Sequence, residues 1–155
     1  MAEERLDIIT GTVALPYSWS TGPTLARFLS GLKQRKILGT RCPRCQRVLV
    51  PARLFCPRCF VDTTEWLEIP DRGHLRTFTI VNYTYEGQPK PPPYILGIID
   101  LEGAGVGFLH FVGGIDLTDI EAAARRLRPG LSLRAVWREE RQGRITDIEH
   151  FAPAE

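Results

Sequence analysis

The four cysteines of this chain stand in two Cys-x-x-Cys pairs, Cys42-Pro43-Arg44-Cys45 and Cys56-Pro57-Arg58-Cys59, with ten residues between them. No other feature restricts the fold as strongly. A two-residue spacer suits a tight knuckle that aims both sulfurs at one cation, and two knuckles complete a tetrahedral set. The intervening stretch is long enough for two short strands and their turn. The spacing therefore predicts a closed zinc ribbon with Cys42, Cys45, Cys56 and Cys59 as ligands. The competing readings fit less well. A two-residue spacer seldom serves a structural disulfide, and no secretory signal points to an oxidising compartment. A redox pair needs one copy in a strand-to-helix setting. Iron held by four thiolates is the metal alternative that ligand type leaves open.

Charge gathers around the same stretch. From Lys33 to Cys59 there are eight basic residues, Lys33, Arg35, Lys36, Arg41, Arg44, Arg47, Arg53 and Arg58, and no acidic one, although the net charge of the chain is only +2. The remainder is therefore net acidic. Zinc with four thiolates carries a formal charge of −2, which balances part of the excess. The surplus points to an anionic partner: a nucleotide-bearing ligand, a nucleic acid or an acidic protein surface. At 155 residues there is room for one ordinary domain or two small ones. No apolar run approaches the length of a membrane span, and Glu3, Glu4 and Asp7 are unlike the basic start of a signal peptide. The expected location is the cytoplasm.

Residues 1–20 show no sustained period and carry Tyr17 and Trp19 among small polar residues. Such a segment cannot build a core alone; it lies across the rest of the chain or grips another. A helix follows, with Thr21 or Thr24 as cap, Pro23 in its first turn, and Leu25, Phe28, Leu29 and Leu32 on one stripe. That stripe packs on the ribbon or docks a partner. Ile37–Arg41 leads into the first knuckle, and Val48–Val50 and Arg53–Phe55 read as ribbon strands flanking Pro51. Gln46 and Phe60 stand where knuckles often place glycine.

From Thr64 the pattern turns to β. Thr64–Ile69 and His74–Tyr83 read as one strand bent at Pro70-Asp71-Arg72-Gly73, followed by a proline-rich loop over 87–93. Tyr94–Leu101 and Val106–Val112 are strands joined by the turn Glu102-Gly103-Ala104-Gly105. Asp116–Leu127 reads as a helix with Thr118 and Glu121 spaced as a capping box. Leu131–Arg138 and Arg144–Phe151 form a last hairpin with Gln142-Gly143 in the turn. Five strands with a helix after the third is the order of an OB-fold barrel. The expected fold is mainly β with some helix: an N-terminal arm and helix (1–38), a rubredoxin-like zinc ribbon (39–62), and a five-stranded OB-fold barrel (63–155).

The run Pro16-Tyr17-Ser18-Trp19, Phe28-Leu29, Gly39-Thr40-Arg41-Cys42-Pro43-Arg44-Cys45, Val50-Pro51-Ala52-Arg53 and Phe55-Cys56-Pro57-Arg58-Cys59 resembles the DUF35 family. The likeness continues through Gly73, the proline-rich loop before Tyr94, the turn Glu102–Gly105, Leu131 and Phe151-Ala152-Pro153. It implies an accessory subunit of enzymes acting on acyl-CoA thioesters, with thiolases, thiolase-like ketosynthases and aldolases, or MaoC-type hydratases as catalytic partners. Ribbon and barrel then hold subunits together and help shape a CoA or acyl channel.

Thiolytic cleavage needs a nucleophilic cysteine with a base and an oxyanion hole. Zinc consumes all four thiols, and a four-cysteine site leaves no open coordination position. His74, His110 and His150 are far apart in sequence and read as structural or surface residues. The expectation is no catalysis by the chain alone. Arg41, Arg44, Arg47, Arg53 and Arg58 are candidates for CoA phosphates or a partner's carboxylates. Tyr83, Tyr85 and Tyr94, around the long loop, are candidate channel or partner contacts. The runner-up function is a single-stranded nucleic-acid-binding module, since OB-folds and zinc ribbons both bind such strands.

Overall fold

The computed structural model describes residue 11 and residues 17–154. The expected arm over 1–20 therefore lies largely outside the described residues; Tyr17 and Trp19 are exposed. Helix α1 spans Gly22–Lys33 with Pro23 in its first turn and Thr21 at the N-cap, whose side chain makes no capping bond. Its stripe is buried as ordinary packing. Phe28 and Leu32 are fully covered, and Leu25 and Leu29 lie against the same core.

Strands β1 (Ile37–Arg41), β2 (Val48–Leu49) and β3 (Glu65–Ile69) form a three-stranded sheet in the order β2-β1-β3. This corrects the strand expected to run from Thr64 through the barrel. Residues 65–69 pair with β1 instead, from Ile37↔Ile69 to Arg41↔Glu65. Pro70 lacks the N–H to continue the ladder. Gly73 then lies so close to the backbone of Asp100 and Leu101 that no Cβ fits there. The chain leaves one sheet and enters the next across that corner. Arg53–Phe55 is also not a strand; Phe55 makes a single bridge to Asp62, because Pro51 and Pro57 bracket the segment and donate nothing.

Strands β4 (Arg72–Val81), β5 (Tyr94–Leu101), β6 (Phe108–Val112), β7 (Ser132–Trp137) and β8 (Ile148–Pro153) close a barrel in the order β4-β5-β6-β8-β7. Helix α2 (Ile120–Arg126) sits between the third and fourth of them, as the OB-fold requires. The β6–β8 seam is parallel and held at Val112↔Phe151, while β4 and β7 complete the ring. Two local expectations change. The α2 cap is Asp119, whose carboxylate accepts the Ala122 N–H at 2.9 Å; Thr118 instead bonds Asp116 through its N–H at 2.9 Å and its hydroxyl at 3.0 Å. A carboxylate two residues upstream captures Thr118 before it can cap. Residues 145–147 form a 3-10 turn rather than strand. The buried Asp147 carboxylate gathers the N–H groups of Gln142, Gly143 and Arg144 there, at 3.0, 2.7 and 3.1 Å.

Helix, ribbon and barrel share one core. Phe28 and Leu32 from α1, Ile37, Val48 and Val50 from the ribbon, and Leu75, Ile99, Leu133 and Ile148 from the barrel belong to a single buried cluster. Each such side chain contributes about 1.5–3 kcal/mol when fully covered, so the ribbon does not stand on its metal alone. A main-chain bond ties it further: the Gly105 N–H donates to the Val48 carbonyl at 2.8 Å. A Cβ on Gly105 would sit 2.5 Å from Arg47 Cγ and 3.2 Å from Val48 N, so only glycine permits that approach. Among the described residues, no helix is long and apolar enough to cross a membrane.

Candidate metal centre

The two knuckles are built alike. In each, the N–H after the second cysteine returns to the carbonyl of the first: Gln46 to Cys42 and Phe60 to Cys56, both at 2.9 Å. In each, the first cysteine donates forward, Cys42 to the Arg47 carbonyl and Cys56 to the Val61 carbonyl, again at 2.9 Å. This winding forces Gln46 to φ +59° and Phe60 to φ +53°, the left-handed region that favours glycine. Each such residue costs on the order of 1–2 kcal/mol. Gln46 recovers part of it through a 2.8 Å bond from Nε2 to the Pro43 carbonyl. Zinc binding by such peptides is worth roughly 10–16 kcal/mol, which outweighs both strained residues.

The four Sγ atoms all lie within 4.8 Å of one another, with Cys45 and Cys56 at 3.8 Å. A tetrahedron with Zn–S distances near 2.3 Å has edges of about 3.8 Å, which the Cys45–Cys56 pair matches, so the four sulfurs are gathered to the scale of one zinc ion. Cys42 and Cys56 are fully buried and Cys45 and Cys59 partly so. Electrostatics favours a cation. Desolvation first, then the sulfurs of Cys45, Cys42 and Cys56, push the Cys59 thiol up to about 12. Cys45 is held below its ordinary value, chiefly by a bond to the Arg47 backbone. Thiols this crowded resist ionising together, and a divalent ion supplies the charge that lets them. The cluster is a structural zinc site.

The arginines divide. Arg41 is paired with Glu65 at 3.1 Å. Arg44 and Arg58 are exposed within the knuckle loops. Arg47 and Arg53 border a groove of about 360 Å³ between ribbon and barrel, whose walls include Leu49, Val50, Val106, Phe108, Leu109 and Ile145. No salt bridge holds Arg44, Arg47, Arg53 or Arg58 among the described residues.

The tyrosines divide as well. Tyr83 and Tyr85 are exposed, with ring centroids 5.8 Å apart. Tyr94 is only 2% exposed and supports the loop from beneath, its hydroxyl 3.5 Å from that of Tyr85. That bond and then burial push the Tyr94 phenol up to about 12. The proline-rich loop folds over the barrel, with Lys90 Nζ 4.4 Å from the centre of the Phe111 ring and 5.5 Å from that of Tyr94; burial lowers the Lys90 ammonium pKa. Of the histidines, His74 is exposed and His150 half-buried. His110 is buried, with Nε2 3.2 Å from the Ile145 carbonyl, and desolvation lowers its pKa.

Three residues hold positions that the sequence reading did not assign to them: Thr40, Gly105 and Asp147. Gly105 left a signal, because Glu102-Gly103-Ala104-Gly105 carries two glycines and only Gly103 has positive φ, +80°. The second glycine answers to packing, not to turn geometry.

Comparison with known proteins gives the lineage. A family model described as the ChsH2 rubredoxin-like zinc ribbon domain matches residues 29–65, and one described as the ChsH2 C-terminal OB-fold domain matches residues 66–138. A DUF35 domain-containing scaffold protein of Methanocaldococcus jannaschii is 33% identical over 67 residues, covering 43% of this chain and 48% of the relative. Its counterpart from Methanothermobacter thermautotrophicus is 27% identical over 67 residues, covering 43% and 50%. The chain belongs to the DUF35 family. It spans about half the length of the curated DUF35 relatives it matches. Among solved structures, a DUF35 protein of unknown function from Sulfolobus solfataricus superposes with a TM-score of 0.62 at 26% identity, covering 86% of this chain and 87% of that one. A chain of the Ltp2-ChsH2(DUF35) aldolase gives the same TM-score at 20% identity, covering 84% and 94%, a likeness of fold. The ribbon-then-barrel order of this chain is thus the DUF35 arrangement.

Proposed function

We propose that this DUF35 chain is the noncatalytic, zinc-bearing accessory subunit of an enzyme complex acting on acyl-CoA thioesters. Its partner is a thiolase-type subunit that cleaves 3-oxoacyl-CoA. One observation carries the reading: all four thiols of the chain are drawn into one metal cluster, so a thioester nucleophile comes from elsewhere. The scaffold names of its relatives support an assembly role. Arg44, Arg47, Arg53 and Arg58 offer guanidinium forks for CoA phosphates at the partner interface; Arg41 is occupied by Glu65.

A thiolase-like aldolase partner is the second reading, favoured by the structural neighbour from the Ltp2-ChsH2(DUF35) aldolase. A MaoC-type hydratase partner and single-strand binding stand behind these. For single strands, the candidate arginines Arg44, Arg47, Arg53 and Arg58 lie on the ribbon, while the outward positions of β5 and β6 include Leu96, Ile98 and Leu109 rather than a basic groove.

The test is tagged purification from the native host, mass spectrometry of the co-purifying subunit, and assay of acetoacetyl-CoA cleavage by the chain, the subunit and both. The expected result is no turnover by the chain and full turnover by the pair. Turnover by the purified chain alone, or tight salt-sensitive oligonucleotide binding with no co-purifying enzyme, overturns it.

A further inference from the structure

Along β5 and β6 the outer face of the barrel is apolar where a solvated sheet should be polar. Burial alternates along β5 and β6: Ile95, Gly97 and Ile99 point inward with Phe108, His110 and Val112, while Leu96, Ile98, Leu109 and Phe111 occupy the outward positions. Register aligns them into rows, Thr77–Ile98–Leu109 and Thr79–Leu96–Phe111. An antiparallel sheet with one wet face shows apolar and polar residues in alternation; a strand apolar on both faces is covered on both. The run Tyr94-Ile95-Leu96-Gly97-Ile98-Ile99 has the composition of a doubly covered strand.

This chain covers one end of the patch. Lys90 of the proline-rich loop lies over Phe111. At another edge Arg76 is paired with Asp100, the Arg76 Nε donating at 3.0 Å. The middle is open: Leu109 is 63% exposed and lines both a recess of about 220 Å³ with Thr77, Thr79, Leu96 and Ile98 and the larger ribbon–barrel groove. The groove's other rim is Arg47 and Arg53, which no described carboxylate pairs, and no acidic side chain lines the groove. The surface is therefore one strip, apolar at Leu96, Ile98 and Leu109, continuing past Ile145 to two unpaired guanidiniums.

We infer that this strip is the docking surface for the catalytic subunit, and that the segment it receives carries apolar anchors followed by carboxylates. The apolar anchors fill the recess around Leu109 and the carboxylates meet Arg47 and Arg53. A second copy of this chain is a poorer match, because the strip itself offers no unpaired carboxylate to reciprocate, as a two-fold contact requires. The inference rests on the partner reading above and adds the face and the chemistry of the contact.

The experiment uses the complex of this chain with its co-purifying catalytic subunit. A photo-crosslinking benzoylphenylalanine replaces Leu109, and in a control replaces Val136, exposed on β7. Position 109 is expected to link to a peptide of the catalytic subunit that carries Asp or Glu within a few residues of the linked site, and position 136 to link to nothing. Leu109→Arg and the double change Arg47→Glu with Arg53→Glu should each weaken the complex about tenfold or more, with zinc content and Tm retained. Links from position 109 to a second copy, or to residues 1–16 of the same chain, overturn the inference. So does an intact complex in which position 109 links to nothing. If no complex forms with the unaltered chain, the partner reading falls and this one with it; a complex built on another face overturns this inference alone.

Discussion

The Thr40 hydroxyl both donates to the Arg53 carbonyl at 2.9 Å and accepts the Arg53 N–H at 3.0 Å. One buried side chain thus replaces a ladder pair between β1 and the segment that enters the second knuckle, where Pro51 and Pro57 prevent a strand. The Thr63 hydroxyl donates to the same carbonyl. Thr40→Val keeps the shape and removes both bonds, leaving the Arg53 N–H without its partner. The expected loss is about 1–3 kcal/mol, read from urea unfolding of the zinc-loaded protein. A variant as stable as the parent would show that water takes over the Arg53 groups.

The metal set predicts one zinc per chain by native mass spectrometry. Cys42→Ser should lose that zinc and, with it, the order of both knuckles, since metal and knuckle folding are coupled. The effect should spread beyond the ribbon, because Ile37, Val48 and Val50 share their core with Leu75 and Ile99 of the barrel. Hydrogen exchange reads this directly: amides of β4 and β5 should lose protection along with those of β1. A barrel that keeps full protection in the metal-free variant would mean that the two parts fold independently.

Gly105→Val tests how ribbon and barrel are joined. A Cβ at this position strikes Arg47 and Val48, and the Gly105–Val48 bond must open to make room. Overpacking of this kind costs about 1–3 kcal/mol. A fall in Tm together with faster exchange at residues 47–49 is the expected outcome; unchanged values would show that the turn yields without moving the ribbon.

Asp147 gives a pH signature. Burial alone would raise its pKa, but the N–H groups of Gln142, Arg144 and Gly143, with the Arg141 charge, outweigh it and hold the carboxyl below its ordinary value. A folded pKa below the unfolded one stabilises the protein above about pH 4 and is lost as pH falls through the folded value. The parent should therefore lose stability on acidification below pH 4 more steeply than Asp147→Asn. That variant should be less stable at pH 7 by about 1–3 kcal/mol. Parallel stability curves for the two proteins would remove Asp147 from the account.

The ligand set, the helix stripe and the barrel order were legible in the sequence because each rests on spacing. Two-residue gaps between cysteines, residues at i, i+3, i+4 and i+7, and strands of alternating pattern between turn residues are local signals that no distant contact needs to supply. Some misses were local, as where Asp116 captures Thr118 and Asp147 gathers the N–H groups of Gln142, Gly143 and Arg144; at others a contact remote in sequence decided. Residues 65–69 carry the same β pattern whichever neighbour they pair with, and β1 wins because Pro70 and Gly73 turn the chain out of its plane. Tyr94 opens the strand that the pattern predicts, yet among the candidate contact tyrosines it alone is buried, its hydroxyl facing that of Tyr85. The cysteines, glycines and prolines of the sequence thus determined that a zinc ribbon precedes a small closed barrel. The tertiary structure alone decided how the two lean together over Gly105, which arginines are left unpaired, and that Leu109 joins an open apolar strip, since these depend on which surfaces meet after every local element has formed.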